Sequence, residues 1–307
     1  MTRKLILYFT ILSFIHCGQE KTADIKAKEE KKEKQKQEIP KPTINYHLIP
    51  LDSPTITWLR SMTNGDSMKL ILVLNRIDKR YLYTQDSLVV PDTFITDLKI
   101  YAPFPEQMEI LKEVHKIIIF SYYTQAFAVY ENGKLIRWGP VSMGSFYTQT
   151  PPGLYHANWK SKVAISREHP DWLMKWFFNL DNYEGVSMHE YDMPGFPASH
   201  ACIRLYAEDA KWLYKWTDQW ICPSNTQIDA YGTPVIVYGS YPFFKRRPWR
   251  KLADNNKAMI ITEQALTTET KNFLPLIMER QATRDSVILA RDTLYITTKR
   301  QNLKTGK

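Results

Sequence analysis

Between residues 116 and 238, hydrophobic and polar positions follow the patterns of β-strands. Residues 117–123 form an apolar run typical of a buried strand. Residues 125–130 alternate, and Asn132-Gly133 then supplies a hairpin turn before another strand at 135–139. A turn at residues 148–155 leads into a further strand. The same reasoning predicts strands at residues 162–166, 176–180, 186–188, 227–231 and 234–238.

One predicted helix, at residues 207–219, interrupts these strands. Glu208 and Asp209 stand in its first turn, where negative charge suits a helix N-terminus. Tryptophans recur four residues apart along it and would share one face, which favours a core stripe over a ligand platform: Trp212, Trp216 and Trp220. The tail from residue 258 predicts a helix and then a short strand at 294–297. The pattern as a whole predicts a mainly β domain with one inserted helix.

A smaller α+β region precedes this domain, at residues 46–113. Its apolar helical run at 69–78 ends in Asn-x-Ile-Asp, and a β-branched run at 88–91 is closed by Pro. This combination resembles the second half of a LysM glycan-binding module. Gln85-Asp86 stands where such modules carry Gly, and the first strand is not evident. The alternative is an ordinary packing subdomain.

The N-terminus has the layout of an export signal. Arg3 and Lys4 precede an apolar run at residues 5–15, which is too short to be a spanning helix. The run ends at His16-Cys17-Gly18 and resembles a bacterial lipoprotein signal, in which Cys17 becomes the lipidated first residue. We therefore expect a signal peptide at residues 1–17. A plain signal peptide or an uncleaved anchor is the alternative.

Residues 18–45 predict a flexible linker. The stretch at 20–38 is dominated by Lys, Glu and Gln, so it cannot bury enough apolar surface to offset the entropy of ordering. Pro40 and Pro42 end it. We interpret this segment as a solvated spacer that holds the folded part of the protein away from a membrane.

The composition of the 307 residues excludes several classes of protein. With 44% hydrophobic and 24% charged residues, the chain is too apolar to be disordered throughout. Beyond the first twenty residues, no apolar run is long enough to cross a bilayer, which excludes a multi-span membrane protein. Three Cys cannot make a disulfide framework or a Cys-rich zinc module. The net charge of +9 comes from basic residues mixed with acidic ones, so nucleic acid is not predicted as a partner.

The segment at residues 187–205 carries the candidate chemistry. Cys202 lies close to two His and an Arg, and neighbouring imidazole or guanidinium groups favour the reactive thiolate form of Cys. A Cys with a His base is the minimum for covalent acyl transfer. His189 stands at the end of a predicted strand. Pro194, Gly195 and Pro197 make a tight loop that could return the chain and bring the two side chains together.

The run Ser199-His200-Ala201-Cys202-Ile203-Arg204, with His189 upstream, closely resembles the active-site signature of the L,D-transpeptidase (YkuD-type) family. Gly144 and Thr150-Pro-x-Gly153 resemble an earlier landmark of the same family. The resemblance covers residues 116–238. It implies an L,D-transpeptidase-type β-sandwich with one helix after the catalytic Cys, here a domain at residues 114–242. Residues 243–307 would then be a C-terminal extension to which we assign no role.

The resemblance also implies roles for individual residues. Cys202 would be the nucleophile and His189 its base, oriented by the backbone carbonyl of Glu190. Backbone N–H groups near Ala201 and Cys202 would bind the oxyanion. The family usually has Gly at the position of Ala201, and if that position needs a positive φ, Ala costs about 1 kcal/mol of strain.

Three further residues of the signature have implied roles in binding and in the turn. His200 and Arg204 would shape the pocket and hold the substrate, and the guanidinium of Arg204 suits a carboxylate of the stem peptide. Ser199 would form hydrogen bonds within the turn.

By this resemblance, we expect a cell-wall enzyme that acts on peptidoglycan tetrapeptide stems. It would release D-Ala and form a cross-link, trim the stem or attach a protein, and it would need no metal or organic cofactor. Carbapenems should acylate Cys202. Its location would be the periplasmic cell envelope, lipid-anchored to the inner or outer membrane. A catalytically inactive peptidoglycan-binding lipoprotein and a cysteine protease of another family are the alternatives.

The residues themselves leave other interpretations open. His189, His200 and Cys202 could be metal ligands, although a fourth ligand is not evident nearby. Glu190 and Asp192 could pair as acid and base, but solvated charge is the simpler interpretation.

Cys222 could form a disulfide with Cys202, which would silence the nucleophile. We interpret it instead as a buried or idle thiol. The basic cluster at residues 245–251 predicts a solvated surface, with contact to acidic wall or lipid groups as the alternative.

Overall fold

The computed structural model describes residues 42–62, 65–166, 170–224 and 227–305, with the backbone alone from residue 297 onward. Residues from Ile44 onward belong to one compact unit. The predicted signal at residues 1–17, including Cys17, lies outside the described residues, as does the predicted linker up to residue 41.

The described ranges contain eleven strands and five α-helices. The strands are β1 (Tyr46–Pro50), β2 (Ser87–Pro91), β3 (Ile117–Ser121), β4 (Ala126–Glu131), β5 (Lys134–Pro140), β6 (Gly153–His156), β7 (Lys160–Ile165), β8 (Leu173–Asn179), β9 (Ser187–Glu190), β10 (Ile203–Leu205) and β11 (Pro234–Tyr238). The helices are α1 (Ser53–Ser61), α2 (Gly65–Asn75), α3 (Ala207–Trp216), α4 (Glu263–Thr270) and α5 (Leu274–Thr305). In the part of the chain that the structure describes, none of the helices has the length and apolarity needed to cross a bilayer.

A five-stranded sheet, in the order β5-β4-β3-β11-β6, forms the centre of the molecule. Its strand β3 is buried on both faces because alternate side chains enter two different cores. Ile117 and Ile119 pack with residues of the N-terminal region (residues 46–113) and of α4 and α5. Ile118 and Phe120 pack with the second sheet. The continuous apolar run is therefore a strand buried on both faces.

The second sheet has the order β10-β9-β8-β7 and packs, together with α3, against the inner face of the first. Its strands β9 and β10 are parallel neighbours, and its other pairs are antiparallel. The predicted hairpin between β4 and β5 is confirmed, with Asn132 and Gly133 both at positive φ. The mainly β fold with a helix after residue 202 is likewise confirmed.

Residues 46–91 form a strand–helix–helix–strand unit whose two strands pair in antiparallel fashion. The buried Asn75 ties helix α2 to β2, because its side-chain amide donates to the Val89 carbonyl oxygen over 2.8 Å and accepts from the Val89 N–H over 2.9 Å. Strand β1 supplies the first strand that the sequence did not reveal. The resemblance to a LysM module stays a prediction.

The basic cluster at residues 245–251 is not simply a solvated surface. Arg250 donates to Asp86 over 3.0 Å, and Arg247 donates to the Gln85 side chain. The hydrogen bond from Arg250 lowers the pKa of Asp86 to about 2. Gln85 and Asp86, which stand where a LysM module would carry Gly, therefore accept the hydrogen bonds of these two arginines.

Three element predictions are wrong. Helix α3 ends at Trp216, so Trp220 does not share its face; Trp212 and Trp216 do stack, with centroids 5.5 Å apart. Residues 227–231 make isolated bridges back to residues 221 and 224, because β6 already occupies the free edge of β11. Residues 294–297 continue α5, since no Gly or Pro interrupts residues 276–305.

Candidate active site

The candidate site lies where β9 and β10 run side by side. Their parallel register pairs Met188 with Ile203 and His189 with Arg204. Cys202 directly precedes β10, and alternate residues of a strand project from the same face. Ser187, His189, Cys202 and Arg204 all line one cavity of about 540 Å³. The two residues that the signature names as nucleophile and base thus enter the same cavity.

His189 is a buried imidazole held in a defined orientation. It is 4% exposed, and its Nδ1 lies 2.9 Å from the carbonyl oxygen of Glu190. Because a carbonyl oxygen only accepts, Nδ1 carries the proton and Nε2 is the basic nitrogen. Burial, with a smaller contribution from the nearby Arg204, lowers the pKa of His189 to about 4, although the hydrogen bond to Glu190 opposes this shift. The neutral form that can act as a base therefore dominates at pH 7.

Aromatic rings fix the plane of this imidazole. Phe177 stacks on His189 with centroids 6.3 Å apart and an interplanar angle of 23°, and Tyr191 meets it edge-on at 5.9 Å. Glu190 acts here through its backbone, as the resemblance implied. The side chain of Asp192 binds Arg80 and Tyr81 instead of pairing with Glu190 as an acid–base couple.

Cys202 is half-buried and is not part of a disulfide. Its Sγ lies 3.0 Å from Oγ of Ser187 and 3.5 Å from the carbonyl oxygen of Gly185. The alternative disulfide between Cys202 and Cys222 is not formed, and the Sγ of Cys222 donates instead to the carbonyl oxygens of Ser224 and Gln227.

Sequence reasoning missed Ser187. The strand period could have identified it, because Ser187 stands two residues before His189 and so projects from the same face of the strand.

In the described ranges, no group of three His, Cys, Asp or Glu side chains is placed to hold a metal ion. The alternative that joined His189, His200 and Cys202 as metal ligands therefore has no geometric support.

The turn before Cys202 rests on the Gly144–Thr150 segment. Oγ1 of Thr150 donates to the carbonyl oxygen of Ala201 over 2.9 Å and accepts from the N–H of Gly144 over 3.0 Å. Gly144 also pairs with Ser199 as a parallel bridge. A Cβ on Gly144 would lie 2.2 Å from the Thr148 carbonyl oxygen, so no other residue fits there. This packing accounts for the separate landmark in the sequence.

Ser199 and Ala201 shape the same turn. Oγ of Ser199 donates to the carbonyl oxygen of Cys202, as predicted for a residue that binds within the turn. Ala201 has φ +70°, so the position does require the left-handed conformation that favours Gly. Its N–H donates to the Thr148 carbonyl oxygen over 2.9 Å. The N–H of Ala201 is therefore engaged within the fold. Of the two N–H groups that the resemblance implies as oxyanion donors, this leaves the N–H of Cys202.

Arg204 and His200 form part of the cavity wall. Nη1 of Arg204 lies 3.4 Å from the carbonyl oxygen of Asp192, and the guanidinium sits 4.7 Å from the ring centroid of Tyr191. Burial lowers the pKa of Arg204, but a guanidinium stays charged at neutral pH. His200 is exposed and its ring lies 5.1 Å from that of Trp172. The cavity thus combines a thiol, a neutral imidazole and one fixed positive charge.

The family model of the L,D-transpeptidase catalytic domain (YkuD) matches residues 115–237. Solved structures with a local likeness include an L,D-transpeptidase from Stackebrandtia nassauensis, which is 25% identical over 42% of this chain and 57% of its own, with a TM-score of 0.34. An LD transpeptidase in complex with imipenem is 21% identical over 40% of this chain and 59% of its own, with a TM-score of 0.33.

A third such structure is L,D-transpeptidase 3 from Mycobacterium tuberculosis in complex with a faropenem-derived adduct. It is 22% identical over 41% of this chain and 60% of its own, with a TM-score of 0.31. This chain therefore spans about 57–60% of the length of the three structures. Among curated proteins, none matches the sequence. The match to the family model places residues 115–237 in the L,D-transpeptidase (YkuD) catalytic-domain family.

Proposed function

We propose that this protein is a peptidoglycan L,D-transpeptidase in which Cys202 carries the acyl group. The observation that supports this most directly is the cavity shared by Cys202, His189 and Arg204. The thiol is a nucleophile and the neutral imidazole a base, which together are what acyl transfer from a peptide carbonyl requires. The guanidinium adds a fixed positive charge that suits a carboxylate of the substrate.

In the first step, Nε2 of His189 accepts the thiol proton and the thiolate of Cys202 attacks the carbonyl carbon of the diaminoacyl–D-Ala bond. The backbone N–H of Cys202 stabilises the tetrahedral oxyanion, a contribution of about 3–4 kcal/mol per donor. Collapse of this intermediate breaks the C–N bond, and the imidazolium returns its proton to the leaving amine of D-Ala. The enzyme is left as a thioester.

In the second step, an amine of a neighbouring stem attacks the thioester and His189 accepts the proton of that amine. Expulsion of the Cys202 thiolate forms the new amide, and water in place of the amine gives hydrolysis. Arg204 binds a substrate carboxylate through its fork of donors, which positions the scissile carbonyl over the sulfur. Ser187, 3.0 Å from the sulfur, stabilises the thiolate by a hydrogen bond.

The test is incubation of the purified protein with imipenem followed by intact-mass measurement. We expect a covalent adduct that Cys202→Ala abolishes and that Cys222→Ala, the matched thiol control, retains. Absence of an adduct on the wild type, together with tight binding to sacculi, would favour the inactive peptidoglycan-binding lipoprotein. The strained Ala201 is the observation behind that second candidate. Cleavage of ordinary L,L-peptides would identify a cysteine protease instead.

We also propose that the protein is lipid-anchored at Cys17 in the periplasmic cell envelope. The basic start, the apolar run and Cys17 support this on sequence alone. Metabolic labelling with a palmitate analogue should mark the wild type and leave Cys17→Ala unlabelled. Equal labelling of both would refute the anchor without touching the enzymatic proposal.

A further inference from the structure

The N-terminal region contacts the active site through residues 191–194. The N–H of Asp78 donates to the Met193 carbonyl oxygen over 2.8 Å, and the Met193 N–H donates back to Oδ2 of Asp78 over 2.8 Å. Ile77 and Pro194 form an antiparallel bridge beside this pair. The following residue, Gly195, packs so tightly that a Cβ there would lie 2.7 Å from Cγ2 of Ile77. These contacts fix the backbone of a segment that lies far from Asp78 in sequence.

The carboxylate of Asp192 is held by the same region. Oδ1 lies 2.8 Å from Nη1 of Arg80, and Oδ2 accepts from the hydroxyl of Tyr81 over 3.0 Å. Arg80 also reaches Oδ2 of Asp78 at 4.0 Å, so it lies between two acidic residues. An exposed ion pair alone contributes little to stability. Here it acts together with the reciprocal bonds of Asp78, and with the Tyr81 hydroxyl it engages both carboxylate oxygens of Asp192.

The other end of this chain of contacts is Arg204. Its Nη1 lies 3.4 Å from the carbonyl oxygen of Asp192, and its guanidinium lies over the ring of Tyr191. The guanidinium is thus supported on two sides by residues 191 and 192, whose own position depends on the N-terminal region. Arg204 lines the cavity that contains Cys202, whereas Asp78 and Arg80 do not line it.

We propose that Asp78 and Arg80 are positioning residues for substrate binding, an inference that rests on the proposed function. They hold residues 191–194 and occupy the carboxylate of Asp192, so that Arg204 presents its guanidinium to the carboxylate of the stem peptide. Neither residue touches the reacting atoms. Both act through Arg204.

The test compares Arg80→Gln and Asp78→Ala with Lys79→Gln, an exposed neighbour that loses the same charge as Arg80→Gln. Residues that share a hydrogen-bond or ion-pair network have interaction energies whose lower range corresponds to a change of about threefold to tenfold in an equilibrium constant. We expect each of the first two variants to raise KM for the tetrapeptide stem by about that factor, with kcat changed less than about twofold, because the lost interaction is made equally in ground and transition states. Lys79→Gln should match the wild type.

Two further readouts separate positioning from a general loss of structure. The rate of alkylation of Cys202 by iodoacetamide should stay at the wild-type value in Arg80→Gln, because that reagent needs no carboxylate site. In an Arg204→Gln background, Arg80→Gln should raise KM no further. Faster alkylation or an additive effect would overturn the proposal.

A measurement that does not depend on turnover distinguishes this proposal from the proposed function. Amide hydrogen exchange of the peptide covering residues 188–206 should be faster in Asp78→Ala than in Lys79→Gln. A wild type that neither releases D-Ala nor reacts with imipenem would refute the proposed function and, with it, the substrate role of Arg204. An active wild type with equal KM and equal exchange in Asp78→Ala, Arg80→Gln and Lys79→Gln would refute the positioning proposal alone.

Discussion

Replacing Thr150 by valine tests whether the Gly144–Thr150 segment holds the turn before Cys202 by hydrogen bonds. The two side chains have nearly the same shape, and Thr150 is fully buried, so valine removes the hydroxyl without creating a cavity. The hydroxyl joins two backbone groups of different segments, the N–H of Gly144 and the carbonyl of Ala201. Both lose a partner at once.

The expected cost follows from these two bonds. Each is worth about 1 kcal/mol net, and the buried N–H of Gly144, left without an acceptor, adds a desolvation penalty of about 1 kcal/mol or more. We therefore expect Thr150→Val to lower the free energy of unfolding by about 2–4 kcal/mol. Thr150→Ser keeps the hydroxyl and loses one methyl, so it should cost about 1 kcal/mol.

Urea titration of the three proteins measures these differences, and the rate of imipenem acylation reports the position of Cys202. Acylation should slow at least tenfold in Thr150→Val, because the Ala201–Cys202 turn shifts, and should stay within about threefold in Thr150→Ser. A Thr150→Val protein as stable and as reactive as Thr150→Ser would refute the reasoning, since the bridging hydroxyl would then contribute nothing.

Four shorter predictions address neighbouring features. Ala201→Gly relieves about 1 kcal/mol of strain but increases the entropy of the unfolded chain, so stability should change by less than about 1 kcal/mol and acylation should not slow. Gly144→Ala places a Cβ 2.2 Å from a backbone oxygen, and it should abolish acylation or folding. The acid limb of the acylation rate, followed by pH jump, should lie near the pKa of His189, about 4, because its neutral form is lost only below that pH. Burial also lowers the pKa of His156 to about 3, so between about pH 6.5 and 3 the unfolded chain binds a proton there that the folded chain does not. The free energy of unfolding should therefore decrease as the pH is lowered from about 6.5 to 3, and it should decrease less in His156→Gln.

Each of these predictions has a result that contradicts it. Slower acylation in Ala201→Gly would mean that Ala is required at φ +70°. A fully active Gly144→Ala protein would show that the segment can move. An acid limb near pH 6.5 would mean that the buried environment of His189 does not govern its protonation. A stability profile unchanged by His156→Gln would remove the pKa of that residue as the cause.

The sequence predicted the elements whose pattern is local. The strand run at 117–123 and the Asn132-Gly133 hairpin are recognisable from neighbouring residues alone, and the fold contains both. Strand β10 has only three residues, which is too short for a period to be read. The strand predicted at 294–297 failed because β-branched residues on an exposed helix do not override a long uninterrupted helical segment.

The candidate site was predictable to the extent that a contiguous motif carries it. Cys202 and His189 were identified from the signature, and the structure places both at one cavity. Its support comes from residues distant in sequence. The contacts of Thr150 with Ala201, and of Asp78 and Arg80 with residues 192–193, depend on the packing of separate segments, which a single sequence does not encode as a pattern.

The most direct test of the account is the reaction of the purified protein with a disaccharide-tetrapeptide stem that ends in D-Ala. Mass spectrometry of the products and an enzymatic assay of free D-Ala follow both halves of the transfer. We predict release of D-Ala together with a cross-linked dimer or a trimmed stem, and loss of all products in Cys202→Ala and of nearly all in His189→Ala. Equal D-Ala release by wild type and Cys202→Ala, or none by a wild type that is folded, would contradict the assignment of Cys202 as the acyl-carrying nucleophile.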